Sequence, residues 1–282
     1  MALSTINLTS GMRANLFSLQ QTSKDLEITQ KRLSTGLKVN TALDDPINFF
    51  TSQEHRLRAS DLAGRKDGMS EAIQTIKAAN VGVENITTLI AQAKSLAQSA
   101  LSATASDATT FACQYETVMA QIDQMAADSD YKGINLLQHA ELTVQFAAVA
   151  NESTLKLTGF GETDTFAIEG LAFELTANGG NWVNGTTLDT DAINQSIANL
   201  ETARGELRVQ SKTLSSNLNI ITAREEFTAQ MINTLNDGAA KLTEADMNEE
   251  GANMLMLQTR QALGTTSLSL ASQAAQGVLR LF

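Results

Sequence analysis

Residue types that commonly carry chemistry are scarce in this sequence. Two histidines, His55 and His139, and one cysteine, Cys113, are its only imidazole and thiol groups. His139 is followed by Ala140 and Glu141, so it lacks the His-Glu-x-x-His spacing that places two zinc ligands one helical turn apart. These residues make a weak metal site. Exposed or helix-capping histidines are the simpler interpretation.

The remaining candidates for chemistry have structural interpretations. The acidic pairs Asp44-Asp45 and Glu225-Glu226 suit helix starts and solvated helix faces, where carboxylates are favoured. The Gly159-Phe160-Gly161 segment is too short to indicate phosphate binding. Cys113 cannot form an internal disulfide, and its place beside an apolar stripe predicts a half-buried small residue. We therefore predict no enzyme, no catalytic or metal-binding residue and no cofactor.

The two ends of the chain are unusually poor in charged residues. Between Gly251 and Phe282 the only charged residues are Arg260 and Arg280, and between Met1 and Ser23 the only one is Arg13. Apolar residues recur at intervals of seven, or of three and four, in both segments, which is typical of helices that pack against other helices. The predicted assembly interface consists of Leu16, Leu19, Leu26, Leu33, Met256, Leu263, Leu270 and Leu281.

The pattern leaves two arrangements of these ends open. The terminal helices could pack on one another within a monomer, or they could assemble with the ends of other copies. A helix with few charges on its outer face is unsuited to face water there, which favours partners on several sides.

Composition restricts the class of protein. The chain has 282 residues, 43% of them hydrophobic but only 5% aromatic, which predicts an aliphatic core. A single proline permits long helices. The net charge of −11 argues against a nucleic-acid binder.

No apolar run is long enough to cross a bilayer. The start, from Met1 to Ser4, lacks the features of a cleaved secretory signal, so these properties alone favour the cytoplasm.

The central segments alternate between helical and strand patterns. Asp45 and Pro46 predict the cap and first turn of a helix that runs to about Ser102. After a turn at 102–107, in which Asp107 is the predicted cap, a heptad pattern follows. Its members are Phe111, Tyr115, Val118, Ile122 and Met125.

Strand-like alternation then predicts a β-hairpin over 142–157 and a small β-rich patch over 159–186. Trp182 in that patch is interpreted as a plug over the sheet, with a ligand-stacking platform as the alternative. A last core helix begins at Thr190 or Asp191 and ends at Asp237-Gly238. Asp246 and Glu249 predict the start of the terminal helix.

Three segments resemble the bacterial flagellins. They are Arg32-Leu33-Ser34-Thr35-Gly36-Leu37-Lys38-Val39-Asn40 with Asp44-Asp45, then Tyr131-Lys132-Gly133-Ile134-Asn135-Leu136-Leu137, and Ala245-Asp246-Met247-Asn248-Glu249-Glu250 continuing to Leu281-Phe282. The resemblance covers roughly residues 1–140 and 187–282. It implies a mainly α fold with long helices in a coiled-coil-like bundle, a β-hairpin, a small β-rich insert and chain ends that pair as helices.

The resemblance also implies a function and partners. The chain would be a structural subunit that polymerises through its terminal helices into the filament used for swimming. It would leave the cell through the flagellum's own export channel without a cleaved signal. Its partners would be other flagellin copies, an export chaperone, and the hook–filament junction and filament cap proteins. The alternatives are the related hook–filament junction protein and a secreted helical adhesin or effector.

The family's domain organisation, carried onto this chain, predicts three parts. Residues 1–45 with 240–282 would form the inner domain, 46–158 with 187–239 the helical bundle, and 159–186 a surface insert. Asp44, Asp45 and Pro46 would form the hinge at the first boundary.

The resemblance further indicates weak detection by the animal innate-immune receptor for flagellin. Detected flagellins carry an arginine near the position of Gln92 and an acidic residue at that of Ser95, whereas Leu96 is retained. A glutamine cannot replace the five donors of a guanidinium.

Overall fold

The computed structural model describes residues 10–138, 140–147, 153–160 and 182–279, and this part of the chain is mainly helical. Its helices are α1 (Ser10–Thr35), α2 (Pro46–Leu101), α3 (Ala105–Asp128), α4 (Thr190–Thr243) and α5 (Met247–Leu279). Two antiparallel strand pairs accompany them, β1 (Glu141–Gln145) with β2 (Thr154–Thr158), and β3 (Val183–Asn184) with β4 (Thr187–Leu188). The predicted mainly α fold is confirmed. Among the described helices, none combines the length and the apolar character needed to span a membrane.

The chain divides into two compact units. The terminal unit comprises Met1–Leu57 with Thr234–Phe282, and the central unit comprises Arg58–Asn233.

The core of the central unit is aliphatic, as its composition predicts. The heptad of α3 faces it, with Tyr115, Val118 and Ile122 buried and Phe111 and Met125 packed at its margin. Fully buried large aliphatic side chains of the unit include Met69, Ile76, Ile86, Met119, Leu136, Leu137, Leu157, Ile193, Leu200, Leu214 and Ile221.

The predicted hairpin is present, with Leu142 opposite Leu157 and Val144 opposite Leu155. Val144 and Leu157 turn into the core, as the alternation of apolar residues requires.

Trp182 lies in the core rather than on a binding surface. Its ring is fully buried beside Tyr115, with 4.8 Å between ring centroids, and its Nε1 donates a hydrogen bond to Ser196 Oγ at 3.2 Å. This agrees with the interpretation as a plug. The strand patterns expected within 161–181 lie outside the described residues.

Three local predictions are wrong. Thr104, not Asp107, caps α3: its hydroxyl accepts from Asp107 N at 3.3 Å and donates to the Asp107 carboxylate at 2.8 Å. Helix α4 continues through Gly238 to Thr243: Ala239 is fully buried, and a Cβ added at Gly238 would lie in ordinary contact with the His55 ring, 3.7 Å from Cδ2. Cys113 is exposed, one position past the buried Ala112.

Candidate functional site: the terminal helix pair

Helices α1 and α5 form an antiparallel pair within one chain. Asn15 Nδ2 donates to Ser267 Oγ at 3.2 Å near one end of the pair. Near the other end, Arg32 Nη1 donates to Glu250 Oε1 at 2.8 Å. The chain ends therefore pair as helices, the first of the two arrangements that the sequence left open.

The inner seam of α5, the side that meets α1, repeats every seven residues through Glu250, Leu257, Gly264 and Ala271. Glu250 and Leu257 are buried. Leu19 occupies the space beside Gly264 that a side chain would need, since an added Cβ would lie 2.6 Å from Leu19 Cδ2. This close approach brings the two helix backbones together.

On α1 the matching seam contains Met12, Leu19, Leu26 and Leu33. Met12 is buried and the three leucines are half-buried. Three of the predicted interface residues thus lie on the seam that pairs with α5 of the same chain.

The outer seam of α5 consists of Met256, Leu263 and Leu270. These side chains are 58%, 67% and 62% exposed. Each immediately precedes an inner-seam residue, which places it about 100° further round the helix. Leu16 on α1 is also exposed, at 40%. Leu281 lies outside the described residues.

The Arg32–Glu250 ion pair is a contact of the terminal helix pair that sequence reasoning missed. The Glu250 side chain is only 9% exposed, and its Oε2 is buried without a hydrogen-bond partner. The two residues are 218 positions apart. The only sequence signal is that each belongs to one of the flagellin-like segments.

The loop after α1 is closely held within the terminal unit. Gly36, with φ of +72°, ends α1 and donates to Arg32 O at 2.8 Å. Lys38 N and Val39 N both donate to Thr243 O, at 2.8 and 3.2 Å, which joins this loop to the end of α4.

The predicted hinge residues lie at the end of this loop. Asp45 caps α2, since its Oδ1 accepts from Asn48 N at 3.1 Å, and Pro46 is the first helical residue. The Asp44 carboxylate accepts from Thr41 N at 2.9 Å and Asn40 N at 3.0 Å. These backbone hydrogen bonds, that of Thr41 first, hold the pKa of Asp44 below its ordinary value.

Gln92 and Ser95 are both exposed on α2, and Leu96 packs partly against the core. Between them, Lys94 Nζ forms an ion pair with Glu201 Oε1 at 2.5 Å. The hydrogen bond from Lys94 is the main reason that the pKa of Glu201 is lowered. The surface therefore lacks a guanidinium at 92 but carries one charge pair nearby.

The histidines and acids do not converge. Within the ranges that the structure describes, no three His, Cys, Asp or Glu residues are grouped closely enough to hold a metal ion. His55 is half-buried against Gly238, and His139 lies outside those ranges.

Paired terminal helices that retain exposed apolar side chains are typical of structural proteins whose subunits assemble side by side. Comparison with known proteins identifies the class more closely. Residues 4–141 match the bacterial flagellin N-terminal helical region, and residues 190–282 match the bacterial flagellin C-terminal helical region.

Curated relatives align along the whole chain. Flagellin FljO of Caulobacter vibrioides is 27% identical over 291 residues, covering 100% of both chains. A flagellin of Brucella melitensis is 26% identical over 292 residues, covering 99% of both. Among solved structures, the crystal structure of Bacillus cereus flagellin is 18% identical, with a TM-score of 0.45 over 57% of this chain and 88% of that one.

The chain belongs to the bacterial flagellin family. It is a structural subunit of the flagellar filament, and swimming motility is the function that the family implies.

Proposed function

We propose that copies of this chain polymerise through the outer seam of α5, with Leu16 of α1 contributing to the same contacts. The observation that carries this is the exposure of Met256, Leu263 and Leu270 on a helix whose other seam is already paired. Burying one such side chain stabilises an interface by about 1.5–3 kcal/mol. Repeated for every subunit along a filament, that free energy supports a stable polymer.

In this proposal the apolar seam of α1 has a different role from the outer seam of α5. Leu19, Leu26 and Leu33 bind α5 of the same chain and give the pair a defined outer surface for neighbouring copies. Leu281 extends the apolar pattern of α5 beyond the described residues. Residues 1–45 with 240–282 form the inner domain, and Asp44, Asp45 and Pro46 form its boundary hinge.

The family resemblance supports the remaining parts of the proposal. The chain is exported through the flagellar channel without a cleaved signal, with the help of an export chaperone. Its filament meets the hook–filament junction and cap proteins. It acts as a structural subunit without catalysis or a cofactor.

Leu270→Asp tests the outer seam. The exposed position should accept the carboxylate in the monomer, so circular dichroism should match that of the unchanged protein. Polymerisation on seeds should be lost, because burying an unpaired charge costs several kcal/mol per interface. Leu270→Met is the control and should polymerise normally. Filaments of Leu270→Asp that form at the ordinary concentration would show that this seam is not an interface.

A further inference from the structure

A cleft with a cationic lining lies in the terminal unit, between the last turns of α1 and the loop that follows. Its volume is about 190 Å³, and its apolar wall is formed by Ile28 and Leu37. Lys31, Arg32 and Lys38 supply the positive charge of the lining. We name these five residues the basic cleft. This volume is several times the roughly 30 Å³ that a water molecule occupies in the liquid, so the cleft has room for a carboxylate group of a few atoms.

The chain's own acids neutralise this cleft only in part, since its lining has three cations and one carboxylate. Asp44 is the acid in its lining. The Asp44 Oδ2 atom already accepts hydrogen bonds from Asn40 N, Thr41 N and Thr41 Oγ1, at 2.9–3.2 Å. These backbone hydrogen bonds are the main cause of the lowered pKa of Asp44, and the charge of Lys31 contributes a smaller part, so Asp44 offsets some of the positive charge of the cleft.

The three cations keep donors available. Glu250 accepts from Nη1 of Arg32, whereas a guanidinium has five N–H donors. In the described part of the chain, Lys31 and Lys38 form no ion pair. Both lysines are exposed.

The rest of the molecule has the opposite charge balance. The chain has 31 acidic and 20 basic residues, a net charge of −11, so two copies repel one another on average. A contact between copies is therefore favoured where a cationic surface meets an acidic one. The same net charge disfavours a nucleic acid as the occupant.

We infer that the basic cleft receives an aspartate or glutamate side chain from a second copy of this chain. The inference rests on the proposed polymerisation and adds an electrostatic contact to the apolar one. The carboxylate is held by Lys31 and Lys38, with Arg32 pre-oriented by Glu250 as a further donor. Arg32 thereby links the pairing of α1 with α5 to the binding of a neighbour.

The first test compares two double variants with equal charge changes. Lys31→Gln with Lys38→Gln removes the cleft's free cations, whereas Lys24→Gln with Lys241→Gln removes two exposed lysines of the same unit outside it. The monomer concentration needed to elongate seeds should rise about tenfold for the cleft variant and less than about twofold for the control. Equal shifts in both variants, or no shift in either, would overturn the inference.

Salt provides an independent readout on the same proteins. Raising the NaCl concentration screens exposed charges, so it should weaken elongation of the unchanged protein through this contact. The cleft variant should respond less to salt than the lysine control does. An identical salt response in both would contradict the inference.

The second test identifies the partner side chain. Filaments assembled from isotope-labelled and unlabelled copies are treated with a carbodiimide, which joins a lysine directly to a carboxylate that it contacts. Mass spectrometry should find mixed-isotope links at Lys31 or Lys38. Intermolecular links at other lysines but none at these two would overturn the inference.

Failure of the unchanged protein to polymerise would contradict both proposals, whereas normal filaments with an unaffected cleft variant would contradict only this one.

Discussion

Gly82 shows how a single residue can be determined by tertiary packing inside a regular helix. A Cβ at this position would overlap Ser129 Oγ and lie 2.7 Å from Leu137 Cδ1 and 2.9 Å from Ser129 Cβ. Gly64, on the same helix, has no neighbouring atom within 4 Å of such a Cβ. Close packing therefore requires a glycine at position 82, whereas position 64 has room for a side chain.

We predict opposite effects of alanine at these two positions. Gly64→Ala should raise the free energy of unfolding by up to about 1 kcal/mol, the helix-propensity difference. Gly82→Ala should lower it despite the same gain, because overpacking costs about 1–3 kcal/mol. Denaturant unfolding followed by circular dichroism measures both. A Gly82→Ala protein at least as stable as Gly64→Ala would contradict the packing argument.

At the scale of elements, the loop between α1 and α2 depends on one ionised side chain. The Asp44 carboxylate receives two backbone amides and one hydroxyl, so its charged form is favoured in the folded state. Protonation weakens these contacts. The loop also joins α1 to the end of α4 through Thr243 O, so its order matters for the whole terminal unit.

Acidification should therefore loosen this loop. Because these hydrogen bonds hold the pKa of Asp44 below its ordinary value, its stabilising contribution is present above that ordinary pKa and is lost as pH falls through the lowered pKa. The amide resonance of Thr41 in NMR spectra should titrate with a midpoint below the ordinary pKa of an aspartate. Asp44→Asn should abolish this titration. A midpoint at or above the ordinary value would contradict the role of the hydrogen bonds.

At the scale of the whole molecule, surface charge determines which other proteins can bind. Gln92 and Ser95 are exposed on α2, and the family resemblance implies a guanidinium and a carboxylate at these positions in flagellins that the innate-immune receptor detects. Beneath this surface Val83, Ile90 and Ala97 are buried, so substitutions at 92 and 95 leave the core unchanged.

We expect weak or no activation of the innate-immune receptor by this protein. Gln92→Arg with Ser95→Glu should increase activation in a reporter-cell assay, since the pair restores bidentate donors and an acid. Gln121→Arg with Gln124→Glu places the same charges at the same spacing on exposed positions of α3 and serves as control. Full activation by the unchanged protein, or an equal gain from the control pair, would contradict this interpretation.

Local chemistry determined much of this architecture from the sequence by itself. Asp45 and Pro46 mark the start of α2 because a side-chain acceptor and a fixed φ act on the first helical turn. The alternation of Leu142 and Val144 marks a strand because successive side chains point to opposite faces. The flagellin-like segments likewise identified the family and its filament function without coordinates.

Only the tertiary structure decided which residues of α5 face which partner. Leu257 is buried against α1, whereas its neighbour Met256 is exposed, although both are large and apolar. A helix with few charges and with apolar side chains on more than one face has no single face that its sequence directs inwards, so its orientation is determined by what packs against it. The same reason applies to Arg32 and Glu250, whose ion pair exists only once α1 and α5 are brought together.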